Sequence, residues 1–337
     1  MLQNGYIGTY TSGRSQGIYR FTFDTEKGML SAPELFAAAR NPKCIARRGS
    51  VLASAIQIDG QAGVALWDTR HLGQAPISMC CPERETPCHI RFSGSSLLAA
   101  NYHEGLFTVY RIDSQRLSCA RQIACGEKAG CHQSLGKRGV HLVPCLEQDQ
   151  VRIFDRKFSP RGVILFPAGS GPRHGLFHPV DHTLWMVTER SHELYHFIFS
   201  NTRFQQIGCF PILPPEHPDY RRSTTAAIRL SPDGRCLYIS TRGADILSVF
   251  AIEQGQAHLV QQIPCGGQHP RDFILSEDGR FVLVLCRDSD NLFAFPRDAE
   301  SGKLSAPISH LNPRRQFDLS LKVLPICYRR FFHASKM

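Results

Sequence analysis

SerProAspGlyArg (231–235), CysLeuTyrIleSerThrArgGly (236–243) and LeuSerValPhe (247–250) return 45 residues later as SerGluAspGlyArg (276–280), PheValLeuValLeuCysArgAsp (281–288) and LeuPheAlaPhe (292–295). Each copy reads as a tight turn, an apolar strand that ends in polar residues, and a second apolar strand that ends in an aromatic ring. Marking the residue that ends the first strand aligns Asn101, Cys145, Glu189, Arg242 and Arg287, at intervals of 44, 44, 53 and 45 residues. Internal periods of roughly 40–50 residues with several short strands each point to a propeller or another closed repeat array.

The pattern walks back through Ala55 to ThrTyr at 9–10, so the 337 residues hold seven units. The expected fold is all-β: one domain spanning 1–337, a seven-bladed β-propeller with four antiparallel strands per blade. GlyIleTyrArgPheThrPheAsp (17–24) and LeuProIleCysTyrArgArgPhe (324–331) both read as strands. The N- and C-terminal strands are therefore expected to share a blade and close the ring, removing free sheet edges.

Composition fits a soluble globular chain, 42% hydrophobic and 20% charged. No apolar run approaches the ~20 residues needed to span a bilayer, and the N-terminus lacks the regions of a signal peptide. Thirteen cysteines are an odd number at irregular spacing, and several sit inside predicted strands, where a thiol behaves as a small hydrophobe. The expectation is a reducing, cytoplasmic setting with free thiols. With no CxxC pair and no HExxH motif, no zinc site is expected. The formal charge of +10 suits an anionic ligand in a general way. Its lysines and arginines are scattered rather than striped among aromatics, so nucleic acid is not expected as a partner.

In a four-stranded antiparallel blade the start of the inner strand lies beside the end of the second strand. Both sets of positions ring one mouth of the channel. The first set holds Cys88–His89, Cys131–His132, Arg173–His174 and Arg271–Asp272; the second holds Asn101–Tyr102, Glu189–Arg190, Arg242 and Arg287–Asp288. A single arginine in a propeller loop reads as a surface residue or a salt bridge. Convergence of His132, Glu189 and several arginines on one concave face reads as a binding site. Arginine's planar fork suits carboxylate or phosphate, and histidine moves protons near neutral pH.

TyrIleGlyThrTyrThrSerGly (6–13), ThrProCysHisIle (86–90), AlaAsnTyrHisGluGly (100–105), ValProCysLeuGluGlnAsp (143–149), GlySerGlyProArgHisGlyLeuPheHisPro (169–179) and HisProArgAspPhe (269–273) resemble the seven-bladed lactonase family typified by bacterial 6-phosphogluconolactonase. That family also includes muconate-type cyclases. The resemblance runs nearly full length, with the motifs in family order. It implies a catalytic group of His132 (ProHis motif), Arg173 (GlyProArgHis), Glu189 and Arg242, with Arg271 facing the same cavity and no cofactor. The implied reaction is hydrolysis of 6-phosphoglucono-1,5-lactone, in the pentose phosphate pathway. A lactone needs an activated water and donors for the developing oxyanion. His132 is expected as general base with Glu189 as its electrostatic partner or an alternative base, Arg173 or Arg242 at the oxyanion, and Arg271 with Arg287 on the phosphate. Tyr102 and His103 are candidates for the sugar hydroxyls.

Two departures stand out: Ala226–Ala227–Ile228 where the family usually carries an acid, and Gly130 where many relatives place a further histidine. Cys145 reads as a buried thiol, and His174 and His178 as packing residues. No GxSxG elbow surrounds Ser170. Rival readings are a related lactonase or cyclase on the same scaffold, or a non-catalytic propeller that binds an anionic metabolite or a protein, since one fold hosts many functions. No heptad or amphipathic helix argues for assembly beyond a monomer or weak oligomer.

Overall fold

The computed structural model describes residues 1–11, 13–137, 139–200 and 203–311, and the strand pairing of Lys322–Val323. Seven antiparallel sheets follow one another along the chain, with two short 3-10 turns as the helical elements among the described residues. Blade I is Leu2–Gly8, Gly17–Asp24, Met29–Leu30 and Glu34–Ala38, with Lys322–Val323 added inside Leu2–Gly8. Blades II to VII begin their inner strands at Ile45–Arg48, His89–Ser93, Leu135–Lys137, Pro172–Phe177, Thr224–Leu230 and Pro270–Leu275, and each has four strands in sequential order.

The expected ring closure is present: Ile7 pairs with Val323 and Gly8 with Lys322. The segment named for it, 324–331, lies outside the described residues. Packing closes the ring as well. Tyr19, Phe21 and Phe23 of blade I interleave with Ile274, Phe281, Leu283 and Leu285 of blade VII. The other interfaces are filled in the same way, by Trp67 and Tyr110 between blades II and III and by Trp185 and Phe250 between V and VI. Each such fully buried apolar side chain contributes roughly 1.5–3 kcal/mol of transfer free energy.

The repeated phrase that set the register builds one turn twice. Ser231 Oγ accepts from the backbone N–H of Cys236 at 2.9 Å, and Asp233 Oδ1 from that of Arg235 at 3.1 Å. Forty-five residues on, Ser276 and Asp278 make the same two bonds to Phe281 and Arg280, at 3.0 and 3.1 Å. Gly234 and Gly279 stand at φ +77° and +69°, left-handed backbone that glycine adopts without a Cβ penalty.

Several histidines fold into the blades as neutral rings. Burial, reinforced by the charge of Arg91, lowers His141 to about 4, and burial with the charge of Arg287 lowers His269 to about 3. Burial also lowers His192 and His196. Unfolded histidine titrates near 6.5, so below that pH the unfolded chain binds more protons and stability falls as pH drops toward 4. The urea midpoint is expected to hold above pH 7 and to fall between pH 6.5 and 5. His141→Phe, which keeps the ring contact with Phe158, removes part of that fall. A midpoint flat from pH 7 to 5 would contradict the assignment.

Candidate functional site

Proline at the start of an inner strand sets up the site. It cannot donate to the ladder, so it sits at strand starts and bulges. The register of blade V slips between Pro172 and His174, and that of blade VII between Pro270 and Asp272. The residues in the slip are Arg173 and Arg271. A bulge re-aims the side chain it carries, and both arginines line a small cavity at the mouth of the channel. Lys43 and Cys88 also follow prolines, Pro42 and Pro87, and line the same cavity. In blade IV, Cys131 takes the place of the proline and His132 follows it; the N–H of His132 donates to Pro144 O at 3.0 Å. Tyr10, His174 and Asp272 complete the wall.

His132 is 7% exposed, and its Nδ1 lies 3.2 Å from Nε2 of His174. The His174 ring contacts Arg173 Nη1 in turn, at 3.3 Å from Nδ1. His174 is therefore part of the site rather than the packing residue expected from sequence. His178 does pack between blades, with Nε2 3.0 Å from Gly234 O.

Glu189 lies between two guanidiniums. Its Oε2 is 2.6 Å from Arg173 Nε and 2.9 Å from Arg242 Nη2. Burial raises the carboxyl pKa, but the two arginines outweigh it and leave it below the ordinary value. Arg173 is 1% exposed, and burial brings its guanidinium down to about 9, with the like charge of Arg242 adding to the effect. It remains charged at neutral pH. Arg173 also donates to the carbonyl of Ala226. At the first departure from the family pattern, a backbone oxygen and Glu189 thus serve the arginine beside the missing acid. The Arg242 side chain donates to Thr224 O and Thr225 O at 3.3 and 3.4 Å, behind the cavity wall that Arg173 forms.

Gly130, the second departure, has φ +68°, and a Cβ there would come within 2.9 Å of Glu147 Cγ and 3.2 Å of Tyr102 Cε2. The space a larger residue would use is filled by the pair in which Tyr102 donates its hydroxyl to Glu147. Arg190 grips the same carboxylate, with Nη2 2.6 Å from each oxygen. Tyr102 packs its ring against His132 at 5.8 Å between centroids, and the exposed His103 stacks edge-on against Tyr102. Neither lines the cavity. Arg287 is turned to its neighbours, with Nε 2.6 Å from Asp288 Oδ1 and Nη2 3.3 Å from His269 Nδ1, and it does not line the cavity.

Lys43 and Tyr10 were absent from the sequence-based site. Lys43 Nζ lies 5.8 Å and the Arg271 guanidinium 5.7 Å from the centroid of the Tyr10 ring. The signal was available in AsnProLys (41–43), which repeats the Pro-X pattern of GlyProArg (171–173) and HisProArg (269–271). Asp272 takes a 2.6 Å ion pair from Arg229 on Oδ1, while Oδ2 is buried without a hydrogen-bond partner. The cavity therefore presents three cations, one paired acid with a spare acceptor, and a histidine pair.

The family model of lactonases with a seven-bladed β-propeller matches residues 4–312. The 6-phosphogluconolactonase of Bacillus subtilis strain 168 is 30% identical over 326 residues, covering 89% of this chain and 93% of that enzyme. A solved protein of Lactobacillus plantarum superposes with a TM-score of 0.86 at 29% identity, over 92% of this chain and 96% of that one. The periplasmic gluconolactonase PpgL of Pseudomonas aeruginosa does so with a TM-score of 0.84 at 25% identity, over 93% and 96%. With the match running from blade I into blade VII, the chain belongs to the seven-bladed β-propeller lactonase family.

Proposed function

We propose that this chain hydrolyses 6-phosphoglucono-1,5-lactone to 6-phosphogluconate, as a cytoplasmic enzyme of the pentose phosphate pathway. The observation that carries the reading is the meeting of His132 with Lys43, Arg173 and Arg271 around one cavity. Twelve free thiols among the described cysteines support the reducing compartment.

His132 is the general base. His174 holds its Nδ1 edge and fixes the ring plane, so proton uptake from water falls to Nε2. Arg173 is the oxyanion donor: it is charged, lines the cavity and is locked in place by Glu189, Ala226 O and burial, the kind of preorganised donor that stabilises charge as it develops. Arg242 fastens the far side of Glu189. Glu189 is then an orienting group rather than a base, because two guanidiniums stabilise its ionised form. Arg271 and Lys43 hold the phosphate, and Asp272 Oδ2 accepts a sugar hydroxyl.

The test is the rate at which purified protein consumes freshly generated 6-phosphoglucono-lactone above the spontaneous rate, beside unphosphorylated gluconolactone. His132→Ala is expected to lose about 100-fold or more in kcat. Arg271→Ala is expected to raise KM about tenfold or more for the phosphorylated substrate, with kcat within a few-fold. No acceleration by folded wild-type protein discards the activity, and wild-type turnover by His132→Ala discards the base.

Glu189→Gln leaves Arg173 and Arg242 charged and uncompensated. Breaking a buried pair in this way costs about 3 kcal/mol, to be read from urea unfolding. A loss below about 1 kcal/mol would show that the clamp is not what holds these arginines.

A further inference from the structure

Three cysteines meet where blade III hands over to blade IV. Cys125 follows the outer strand Arg116–Ala124, Cys131 immediately precedes His132, and Cys145 ends the strand Val140–Cys145. All three have no exposed surface, and their Sγ atoms lie within 4.8 Å of one another. Cys131 and Cys145 face each other across an isolated antiparallel bridge. The surroundings are hydrocarbon, with Ala100, Phe107, Val143 and Phe154 in the same cluster.

The fold does not require sulfur here. The N–H of Cys125 donates to the carbonyl of the turn residue Gly105, and Phe166, Ile212 and Cys265 make the same bond to Asp149, His192 and Asp245 in later blades. All four turn residues have positive φ, so these are equivalent places in the repeat. Phe166 and Ile212 show that a plain hydrophobe fills the place. Cys265 pairs with Cys286, Sγ to Sγ 3.6 Å, and belongs to no such group of three among the described residues, a natural two-sulfur control.

A second observation concerns charge. Arg152 Nε is buried without a hydrogen-bond partner. A cation beside clustered thiols favours anionic sulfur, which is the form that binds metal.

We propose that Cys125, Cys131 and Cys145 form a three-sulfur site for one soft metal ion of the copper(I) class. Thiolate ligands select soft ions. Three sulfurs about 2.3 Å from a central ion in a plane stand about 4.0 Å apart, inside the observed limit of 4.8 Å. Structural zinc takes four ligands in a tetrahedron, and the cluster offers three. Binding exchanges the remaining thiol protons for the ion and releases them to solvent. Arg152 offsets part of the negative charge of the resulting trithiolate. The site stands whether or not the lactonase reading holds.

The test titrates reduced protein anaerobically with copper(I) against a chromophoric copper(I) chelator, which outcompetes exposed thiols such as Cys119 and Cys209. One equivalent per chain should be withdrawn from the chelator, with a near-ultraviolet thiolate-to-copper band. Cys125→Val and Cys145→Val should each lose it, while Cys265→Val keeps it. At position 125 valine replaces sulfur with hydrocarbon, as blades IV and V already carry there in Phe166 and Ile212, and circular dichroism confirms that both variants fold. Failure of folded wild type to take copper from the chelator overturns the proposal. So does full binding by the Cys125→Val/Cys145→Val protein, or tighter binding of zinc(II) than of copper(I).

Discussion

Everything in this molecule depends on filling the wedge between one twisted sheet and the next, seven times over, until the last sheet meets the first. A blade alone exposes both faces and both edges, and an isolated sheet of that kind invites pairing with other chains. Closure removes the problem only if the final interface is packed like the rest. Here Phe21 and Phe23 meet Phe281 and Leu283, and Lys322–Val323 adds the inner strand of blade I. Chain ends far apart in sequence are thereby tied into one sheet.

The same closure creates the site. Inner strands converge on the axis, so whatever their first residues carry is brought together there. Proline prevents the ladder from running on through those first residues, the register slips, and the next side chain is turned toward the channel. Arg173 and Arg271 reach the cavity by this device, and Lys43 and His132 join them from just before the inner strands of blades II and IV. Concentrating positive charge in a buried place is costly unless it is paired and hydrogen-bonded. The Arg173–Glu189–Arg242 clamp and the Ala226 carbonyl meet that cost on one side of the cavity. On the other, Lys43 and Arg271 lie over the Tyr10 ring, where the quadrupole of the aromatic face partly offsets their repulsion.

Departures from the family pattern become intelligible in the same terms. Gly130 needs left-handed backbone and leaves its space to Tyr102 and Glu147. Ala226 and Ala227 occupy a further bulge, in the slip between Thr225 and Ile228, and the backbone oxygen of Ala226 supports Arg173 where a carboxylate is usual. The wall is thus lighter in negative charge on that side.

Period and turn chemistry were legible in the chain itself. SerProAspGlyArg and SerGluAspGlyArg fix one turn by local hydrogen bonds, and apolar runs after them become strands because alternation and spacing are properties of consecutive residues. Of the residues named from family motifs, His132, Arg173 and Arg271 line the cavity, while Glu189 and Arg242 stand behind Arg173. Partnership was not legible. That His174 meets His132 from the next blade, that Glu189 is clasped by two arginines, that Lys43 reaches the cavity while Arg287 turns to Asp288, and that Cys125, Cys131 and Cys145 share one pocket all depend on side chains 6 to 53 residues apart or on which way a strand end turns. Sequence determines local geometry through neighbouring residues; only the closed ring, by forcing remote strand starts onto one axis, decides which of them touch.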